Sequence, residues 1–250
     1  MTVSRLLSLP LLALAPLMLA ACDDTATADG IGVASGEPLP AVPAPAGASW
    51  TDTVTVTPDG GYMIGNPDAP IKLVEYASHT CGACAAFATT GKEPLKNEYV
   101  ASGVVSFEQR EAFLNPYDVV IAGLAQCGAK EQMQPLSDEV WQNLDSVFTG
   151  LQGNPQAVQA AAQLPLDQRF VAIGEATGLL EFFAARGLSA DQGRACLADT
   201  AKIEALVKTT EANSERDQIT GTPTFFLNGE KVNGTSWDVV ETALQRAGAR

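Results

Sequence analysis

The fold is decided by the stretch Ile71-Lys72-Leu73-Val74-Glu75-Tyr76, which is followed five residues later by Cys81-Gly82-Ala83-Cys84. The first run predicts a buried strand, and Ala85 to Lys92 after the cysteines predicts a helix. Cysteines at i and i+3 share one helical face, close enough to form a disulfide or to hold a metal together. At a helix N-terminus, the backbone N–H groups and the macrodipole favour a thiolate. A strand that leads into a helix headed by two cysteines at this spacing is typical of a redox motif.

The first 21 residues have the pattern of a secretory signal peptide. Arg5 supplies a positive start, and the apolar stretch from Leu6 to Ala20 is interrupted by two prolines, which makes it too short and broken for a membrane span. The stretch ends in Leu19-Ala20-Ala21-Cys22, which resembles a bacterial lipobox, so Cys22 is a predicted lipidation site. The alternative is an ordinary signal peptide with an incidental cysteine.

The net charge is −14 and becomes −15 after removal of residues 1–21, because Arg5 is the only charged residue among them. A chain this acidic repels nucleic acid and anionic headgroups, so no nucleic-acid partner is expected. An acyl chain on Cys22 would therefore anchor the protein through its buried methylenes alone. Export also places the cysteines in an oxidising compartment, where disulfides persist.

Residues 22–59 are rich in Ala, Pro, Gly, Thr and Asp, which predicts a flexible linker. Alternatively, Trp50 and the alternating run Thr53-Val54-Thr55-Val56-Thr57 form a short edge strand. Residues 60–250 are long enough for one domain with a sizeable core.

Within that domain, strand patterns lie at both ends and helical patterns lie between them. Val104-Val105-Ser106-Phe107 predicts a second strand, parallel to the first. Residues 117–200 predict a series of helices, and residues 202–219 predict one more long helix. Thr224-Phe225-Phe226-Leu227 predicts a further strand, which Asn228-Gly229 turns into a hairpin.

The cysteine pair is open to three interpretations. As a reversible dithiol, Cys81 attacks a disulfide as thiolate and Cys84 resolves the mixed disulfide. As half of a zinc site it needs a second close pair, and Cys127 and Cys196 are 69 residues apart. Copper(I) on the two thiolates, with His79 as a third ligand, is chemically reasonable. The third interpretation is a static disulfide.

Gly221-Thr222-Pro223-Thr224 is the second notable motif, 139 residues after Cys84. One interpretation is that Pro223 is an ordinary proline at the start of a strand, where the missing N–H costs nothing. The alternative is a cis-proline that presents backbone groups to an extended peptide.

These motifs together resemble the thioredoxin superfamily, and the helical block resembles its DsbA-type branch. The resemblance covers residues 63–248. Its motifs are Gly65-Asn66-Pro67-Asp68-Ala69-Pro70 before Val74-Glu75-Tyr76, then Cys81-Gly82-Ala83-Cys84, and Gly221 to Gly229. The implied fold is α/β, thioredoxin-like, with an inserted helical subdomain at about 116–200.

The resemblance also implies roles for individual residues. Cys81 matches the attacking cysteine, Cys84 the resolving one, Pro223 the cis-proline, and Thr222 a residue that contacts substrate. Glu75 matches a buried acid, whose raised pKa would let it relay the proton of Cys84. A solvent-facing strand residue is the alternative for Glu75.

One departure from the DsbA pattern is Ala83, since such enzymes often have histidine there. Alanine cannot stabilise a thiolate, so we expect Cys81 to be less acidic and the couple less oxidising than in those enzymes. His79 is the only histidine in the chain. One interpretation is that His79 lies near the Cys81 sulfur, where it would tune its reactivity or contact the substrate. The alternative is that His79 is an exposed loop residue.

Cys127 and Cys196 lie in separate predicted helices. In an exported chain, two remaining cysteines are expected to pair as a structural disulfide, and some DsbA-like proteins carry a second disulfide there. The alternative is two buried thiols that act as small apolar residues. The aromatic residues of the helical block are expected to pack its core or to line a groove, and they are Trp141, Phe148, Phe170, Phe182 and Phe183.

The resemblance implies a thiol-disulfide oxidoreductase that exchanges disulfides with exported proteins, without a small cofactor. A quinone-linked oxidase or a membrane reductase would reset the dithiol. Asp23 after Cys22 indicates lipid anchoring at the periplasmic side of the inner membrane. The alternatives are a reductase or isomerase on the same fold, and a copper-binding or scaffolding lipoprotein.

Overall fold

The computed structural model describes residues 36–250. The predicted signal peptide over residues 1–21 and the predicted lipidation site Cys22 lie outside the described residues and stay predictions. Between residues 36 and 250, no helix combines the length and the apolar content that crossing a membrane requires.

One mixed sheet forms the centre of the described chain. Its six strands are β1 (Val54–Val56), β2 (Tyr62–Gly65), β3 (Ile71–Ala77), β4 (Val105–Glu111), β5 (Thr224–Leu227) and β6 (Glu230–Lys231). Their order across the sheet is β1-β2-β4-β3-β5-β6. β3 and β4 are parallel, as the sequence predicts, and all other neighbouring strands are antiparallel.

Helices make up most of the remaining described chain. They are α1 (Gly82–Thr90), α2 (Lys92–Pro94), α3 (Pro116–Ala125), α4 (Met133–Gln142), α5 (Leu144–Gly153), α6 (Pro155–Ala161), α7 (Leu166–Ala176), α8 (Leu179–Ala184), α9 (Ala190–Ala198), α10 (Thr200–Arg216) and α11 (Trp237–Arg246). A π-helical turn, Leu95–Val100, continues α2.

One face of the sheet packs against helices from both ends of the domain. Ile71 and Leu73 of β3 point to the same face, because strand side chains alternate, and both are 1% exposed. They belong to a cluster with Phe107 of β4, Phe87 of α1 and Val240 of α11. Burial of these side chains fixes which face of β3 meets α1.

A second apolar core lies within the helices α3 to α10, which connect β4 to β5. It includes Val120, Ile121, Leu124, Phe183 and Leu197, each fully or almost fully buried. The predicted thioredoxin-like fold with an inserted helical subdomain is thereby confirmed. Its last helix, α10, runs beyond residue 200 and returns the chain to the sheet.

The aromatic residues of the insertion do not all pack in its core. Phe183 does, and Phe148, Phe170 and Phe182 lie partly buried against the same cluster. Trp141 instead belongs to a small cluster with Cys81 and Cys84, so its predicted place in the helical core was wrong. Helix α4 carries Trp141 to that position because α4 packs directly on α1.

Residues 36–59 differ from the flexible linker that the sequence predicts, because they lie against the domain. Val42 N–H donates to the Ser102 carbonyl at 2.8 Å, and the Trp50 indole donates to the Val42 carbonyl at 2.7 Å. Gly103, with φ +73°, leaves room for this approach, since a Cβ there would lie 2.2 Å from the Val42 oxygen. β1 pairs with β2, so the edge-strand alternative is the one that the structure contains.

The hairpin at the other end of the sheet has the predicted turn. Asn228 and Gly229 have φ values of 50° and 86°, which suit a two-residue turn between twisted strands. The return strand β6 is only two residues long and exposed.

Cys127 and Cys196 form a disulfide, with their Cα atoms 5.7 Å apart. The bond links the end of α3 to α9 within the insertion, far along the chain from Cys81 and Cys84.

Replacing both bridge cysteines by alanine should lower the free energy of unfolding by up to about 4 kcal/mol, because the bond closes a loop of 69 residues. Urea unfolding monitored by tryptophan fluorescence measures the change. Iodoacetamide should still modify Cys81 at the wild-type rate. A loss of Cys81 reactivity in the folded variant would show that the bridge also shapes the cysteine motif.

Candidate active site

Cys81 is the N-cap residue of α1, directly after the loop that leaves β3. The Cys84 backbone N–H donates to the Cys81 sulfur at 3.2 Å, so the sulfur occupies the position of a capping acceptor. Cys81 is 8% exposed and Cys84 is fully buried. Both are free thiols. Only the first sulfur therefore meets an incoming molecule.

Thr222 and Pro223 lie beside this sulfur although they are 141 and 142 residues further along the chain. Antiparallel pairing sets Tyr76 of β3 opposite Thr224 of β5, which brings the preceding loop to the head of α1. The Cys81 sulfur lies 3.3 Å from the Thr222 carbonyl oxygen, to which it donates when protonated, and the peptide bond between Thr222 and Pro223 is cis.

The two cysteines have opposite acidities. A hydrogen bond from the Cys84 thiol lowers the pKa of Cys81 to about 5, with smaller contributions from the Thr222 side chain and from the backbone N–H groups of Cys84 and Ala83, and burial offsets part of this. Burial raises the pKa of Cys84 far above its ordinary value. At neutral pH the outer sulfur is a thiolate and the inner one a thiol, which is the division of roles expected for attack and resolution.

Glu75 is fully buried on β3, on the sheet face that meets α1. Burial raises its pKa to about 7, partly offset by Lys92, while Asp138 and Cys81 raise it further. The carboxyl therefore gains and loses a proton near neutral pH. This placement agrees with the buried position that the sequence favours and excludes a solvent-facing one.

Asp118, at the start of α3, holds the loop before Cys81. Its carboxylate, which is fully buried, accepts hydrogen bonds from the Ser78 hydroxyl and from the backbone N–H groups of Thr80, Leu114 and Asn115. Four donors on one carboxylate fix the position of the residue next to Cys81. The insertion thus supports the site directly.

His79 is fully buried, so the prediction that it contacts substrate was wrong, as was the exposed-loop alternative. Its Nε2 lies 2.9 Å from the Ser137 hydroxyl, and its Nδ1 lies 3.3 Å from a Glu111 carboxylate oxygen. The ring stacks on Trp141 at 5.3 Å between centroids. Burial alone would lower the pKa of His79, but Glu111 outweighs it and raises the pKa.

Sequence reasoning did not identify Asp118, Lys92 or Trp141 as parts of this site. The run Asn115-Pro116-Tyr117-Asp118 does carry a capping-box pattern, which could have marked Asp118 as a helix-start residue. Lys92 and Trp141 carry no local signal, because their contacts with the site come from residues distant in sequence.

A cavity of about 720 Å³ lies on the other face of the sheet, with Lys72, Tyr76, Arg110 and Arg216 among its lining residues. No cysteine contributes to it. The chemistry of the cysteine motif is therefore separate from this cavity.

The described residues offer no cluster of three or more His, Cys, Asp or Glu side chains with the arrangement of a metal site. In particular, both ring nitrogens of His79 face Ser137 and Glu111, and not the sulfur atoms. A third ligand for copper on Cys81 and Cys84 is thus not in place.

Comparisons with known proteins agree with this geometry. The family model described as thioredoxin matches residues 57–246. A relative from Rickettsia bellii (strain RML369-C), named "Putative protein-disulfide oxidoreductase", is 24% identical over 189 residues, which are 76% of this chain and 65% of the relative. A relative of the same name from Rickettsia felis is 23% identical and covered to 60%. The chain therefore spans less than two thirds of the length of these relatives.

Solved structures are also similar. A protein-disulfide isomerase from Novosphingobium aromaticivorans has a TM-score of 0.69 and 26% identity, and the match covers 74% of this chain and 96% of that one. Alpha-DsbA1 from Wolbachia pipientis has a TM-score of 0.60 and 22% identity, with 76% and 90% covered. At 22% identity, the similarity to alpha-DsbA1 shows a shared fold only.

Iodoacetamide should modify Cys81 with a half-maximal rate near pH 5, because its pKa is about 5. Cys84 should stay unmodified in the folded protein at every pH up to 9, since it is buried and protonated. Mass spectrometry of the alkylated peptide measures both. A half-maximal rate near the ordinary thiol pKa of about 8.5 would contradict the hydrogen-bond geometry at α1.

Replacing Glu75 by glutamine should stabilise the reduced protein at pH 8 by about 3 kcal/mol relative to wild type, and should have little effect at pH 4. The folded pKa of about 7 exceeds the ordinary 4.5, so ionisation destabilises the folded state as pH rises through that window. Urea unfolding at pH 4 and pH 8 measures this change in stability. An equal change at both pH values would show that ionisation of Glu75 is not its cause.

Proposed function

The chain belongs to the thioredoxin family and has a DsbA-like fold, and from this premise we propose that it is a protein thiol-disulfide oxidoreductase acting through Cys81 and Cys84. One observation carries this function. The Cys81 sulfur caps α1, has a pKa of about 5 and lies 3.3 Å from the Thr222 carbonyl oxygen. A sulfur that is ionised at neutral pH attacks disulfides and is also a good leaving group.

In the oxidising direction, a substrate thiolate attacks Cys81 of the Cys81–Cys84 disulfide. A bond forms between the substrate sulfur and Cys81, and Cys84 leaves with the electron pair and takes a proton from Glu75. A second substrate thiolate then attacks the substrate sulfur, and Cys81 leaves as the thiolate. The substrate has lost two electrons and the protein has gained them. The reducing direction is the same sequence reversed.

The Thr222 backbone supplies a docking edge for the substrate. Thr222 is partly exposed, and its carbonyl faces the Cys81 sulfur. An extended peptide that pairs with this edge brings its own cysteine to the attacking atom. Substrate choice would then rest on an accessible extended cysteine segment, which unfolded exported proteins offer.

The alternative is a reductase or isomerase on the same fold, and Ala83 favours it. The pKa of about 5 for Cys81 lies between about 7 in thioredoxin and about 3.5 in DsbA. Equilibration with glutathione buffers separates the alternatives. A potential near thioredoxin's, about −270 mV, supports reduction, and one near DsbA's, about −120 mV, supports oxidation.

The protein works in the bacterial cell envelope, lipid-anchored through Cys22 at the periplasmic side of the inner membrane. Support comes from the Leu19-Ala20-Ala21-Cys22 motif and from Asp23 after it. A membrane redox partner, either a quinone-linked oxidase or a reductase, resets the dithiol after each turnover.

Purified full-length protein should reduce insulin disulfides or oxidise a dithiol peptide, and Cys81→Ser should abolish both activities. Insulin precipitation and peptide mass measure them. The variant Cys127→Ala/Cys196→Ala is the matched control, since it also removes sulfur atoms but should retain activity. Full activity of Cys81→Ser would falsify the assignment, and stoichiometric copper in the reduced wild type, lost in Cys84→Ser, would support the metal-binding alternative.

A further inference from the structure

The loop that carries Thr222, residues 218–223, has little hydrogen-bond support in its middle. In the described part of the chain, the backbone N–H groups of Thr220, Gly221 and Thr222 donate to no backbone carbonyl. Thr220 and Gly221 are exposed. A segment with an exposed backbone and few hydrogen bonds moves easily unless its ends are fixed. The position of the Thr222 carbonyl beside Cys81 therefore depends on how the two ends of this loop are held.

The far end of the loop is fixed by the sheet. Thr224, the first residue of β5, is the register partner of Tyr76 on β3. The Thr224 hydroxyl donates back to the Gly221 carbonyl at 2.7 Å. Pairing with β3 thus holds the residues that follow Thr222.

The near end of the loop is fixed by Asp217, the residue after α10. Its carboxylate accepts hydrogen bonds from the Tyr76 hydroxyl and from Arg216 Nη2, the latter at 2.7 Å. The backbone turns at the next residue, Gln218, which has a φ of 52°. A residue other than glycine seldom adopts this left-handed conformation unless its surroundings hold it there. Asp217 supplies such a hold directly before the turn.

Tyr76 is itself a fixed point on the sheet face opposite Glu75. Its side chain is fully buried, and its ring meets the edge of Phe226 at 6.0 Å between centroids. Its hydroxyl also accepts a hydrogen bond from Arg110 Nη1 at 3.0 Å. Phenylalanine would fill the same space in the sheet, so the contribution of the hydroxyl is its link to Asp217 and Arg110.

Both ends of the loop therefore meet at one residue. We propose that Tyr76, acting through Asp217, is the positioning residue that holds the Thr222 docking edge in place for an extended peptide beside Cys81. This inference rests on the proposed function, because the position of the edge matters only if a substrate peptide pairs with it.

Loss of the Tyr76 hydroxyl would weaken the near end of the loop. Asp217 would keep its ion pair with Arg216, whose side chain is 48% exposed, and a contact of 3.6 Å with Arg110. Exposed ion pairs fix a side chain weakly. The loop would then occupy its docking position for a smaller fraction of the time, which lowers the apparent affinity for a peptide. The reactivity of the Cys81 sulfur towards a molecule that does not dock would not change.

Two disulfides that release the same coloured nitrobenzoate thiolate separate docking from sulfur chemistry. One is dithiobis(nitrobenzoate), which has no peptide backbone. The other is an extended peptide whose single cysteine carries the nitrobenzoate thiol as a mixed disulfide. In both, the Cys81 thiolate attacks one sulfur of the disulfide, a new S–S bond forms, and the nitrobenzoate thiolate leaves with the electron pair. Stopped-flow absorbance measures this first release from the reduced full-length protein.

Tyr76→Phe should raise the half-saturating concentration of the peptide about fivefold, which is the effect of one lost hydrogen bond. The maximal rate with the peptide and the rate with dithiobis(nitrobenzoate) should each change by less than about twofold. Asp217→Ala should give the same result, and the double variant should be no worse than either single one, because both remove the same contact. If Tyr76→Phe does not fold, Asp217→Ala alone carries the test.

Tyr99→Phe is the matched control. Tyr99 is also a buried tyrosine whose hydroxyl donates to a carboxylate, that of Glu241 on α11 at 2.9 Å. It makes no hydrogen bond to the loop 218–223. The variant should therefore keep the wild-type half-saturating concentration and both wild-type rates. Cys81→Ser supplies the background release by any other thiol.

A wild-type half-saturating peptide concentration in folded Tyr76→Phe and Asp217→Ala would overturn the role of Tyr76 and leave the proposed function intact. Equal slowing with both disulfides, or the same change in Tyr99→Phe, would also overturn it, because a general loosening of the fold acts on both reagents. Release by Cys81→Ser at the wild-type rate would instead contradict the proposed function itself.

Discussion

Strand β3 pairs on both sides, and this double pairing assembles the site. The parallel register with β4 sets Glu75 beside Gln109, and the antiparallel register with β5 brings the Thr222 carbonyl to Cys81. A shift of one residue would turn Glu75 to the other face of the sheet. It would also expose Ile71 and Leu73, so the apolar residues that fill the core fix the acid beneath the cysteines.

The interior behind the cysteines is polar, which costs stability. Glu75 and His79 are fully buried, and several polar atoms there lack partners among the described residues. Two apolar clusters, one on the sheet and one in the insertion, offset this cost. The opposite acidities of the two sulfurs have another origin, because hydrogen bonds at the start of α1 lower the pKa of Cys81 and burial raises the pKa of Cys84.

The helical insertion is part of the site and not only an addition to the sheet. Asp118 holds the loop before Cys81, Trp141 packs against both cysteines, and Asp138 anchors Lys92. Changes in the insertion are therefore transmitted to the chemistry through a few short contacts.

Local sequence patterns suffice to predict the strand β3, the cysteine-headed helix, the hairpin turn at Asn228-Gly229 and the helical character of the insertion. These features depend on hydrophobic period and turn chemistry, which act between residues a few positions apart. The burial of His79, the position of Trp141 against the cysteines and the docking of residues 36–59 are visible only in the folded chain. Each depends on partners distant along the chain, such as Ser137 for His79 and Ser102 for Val42, and no local pattern encodes such partners.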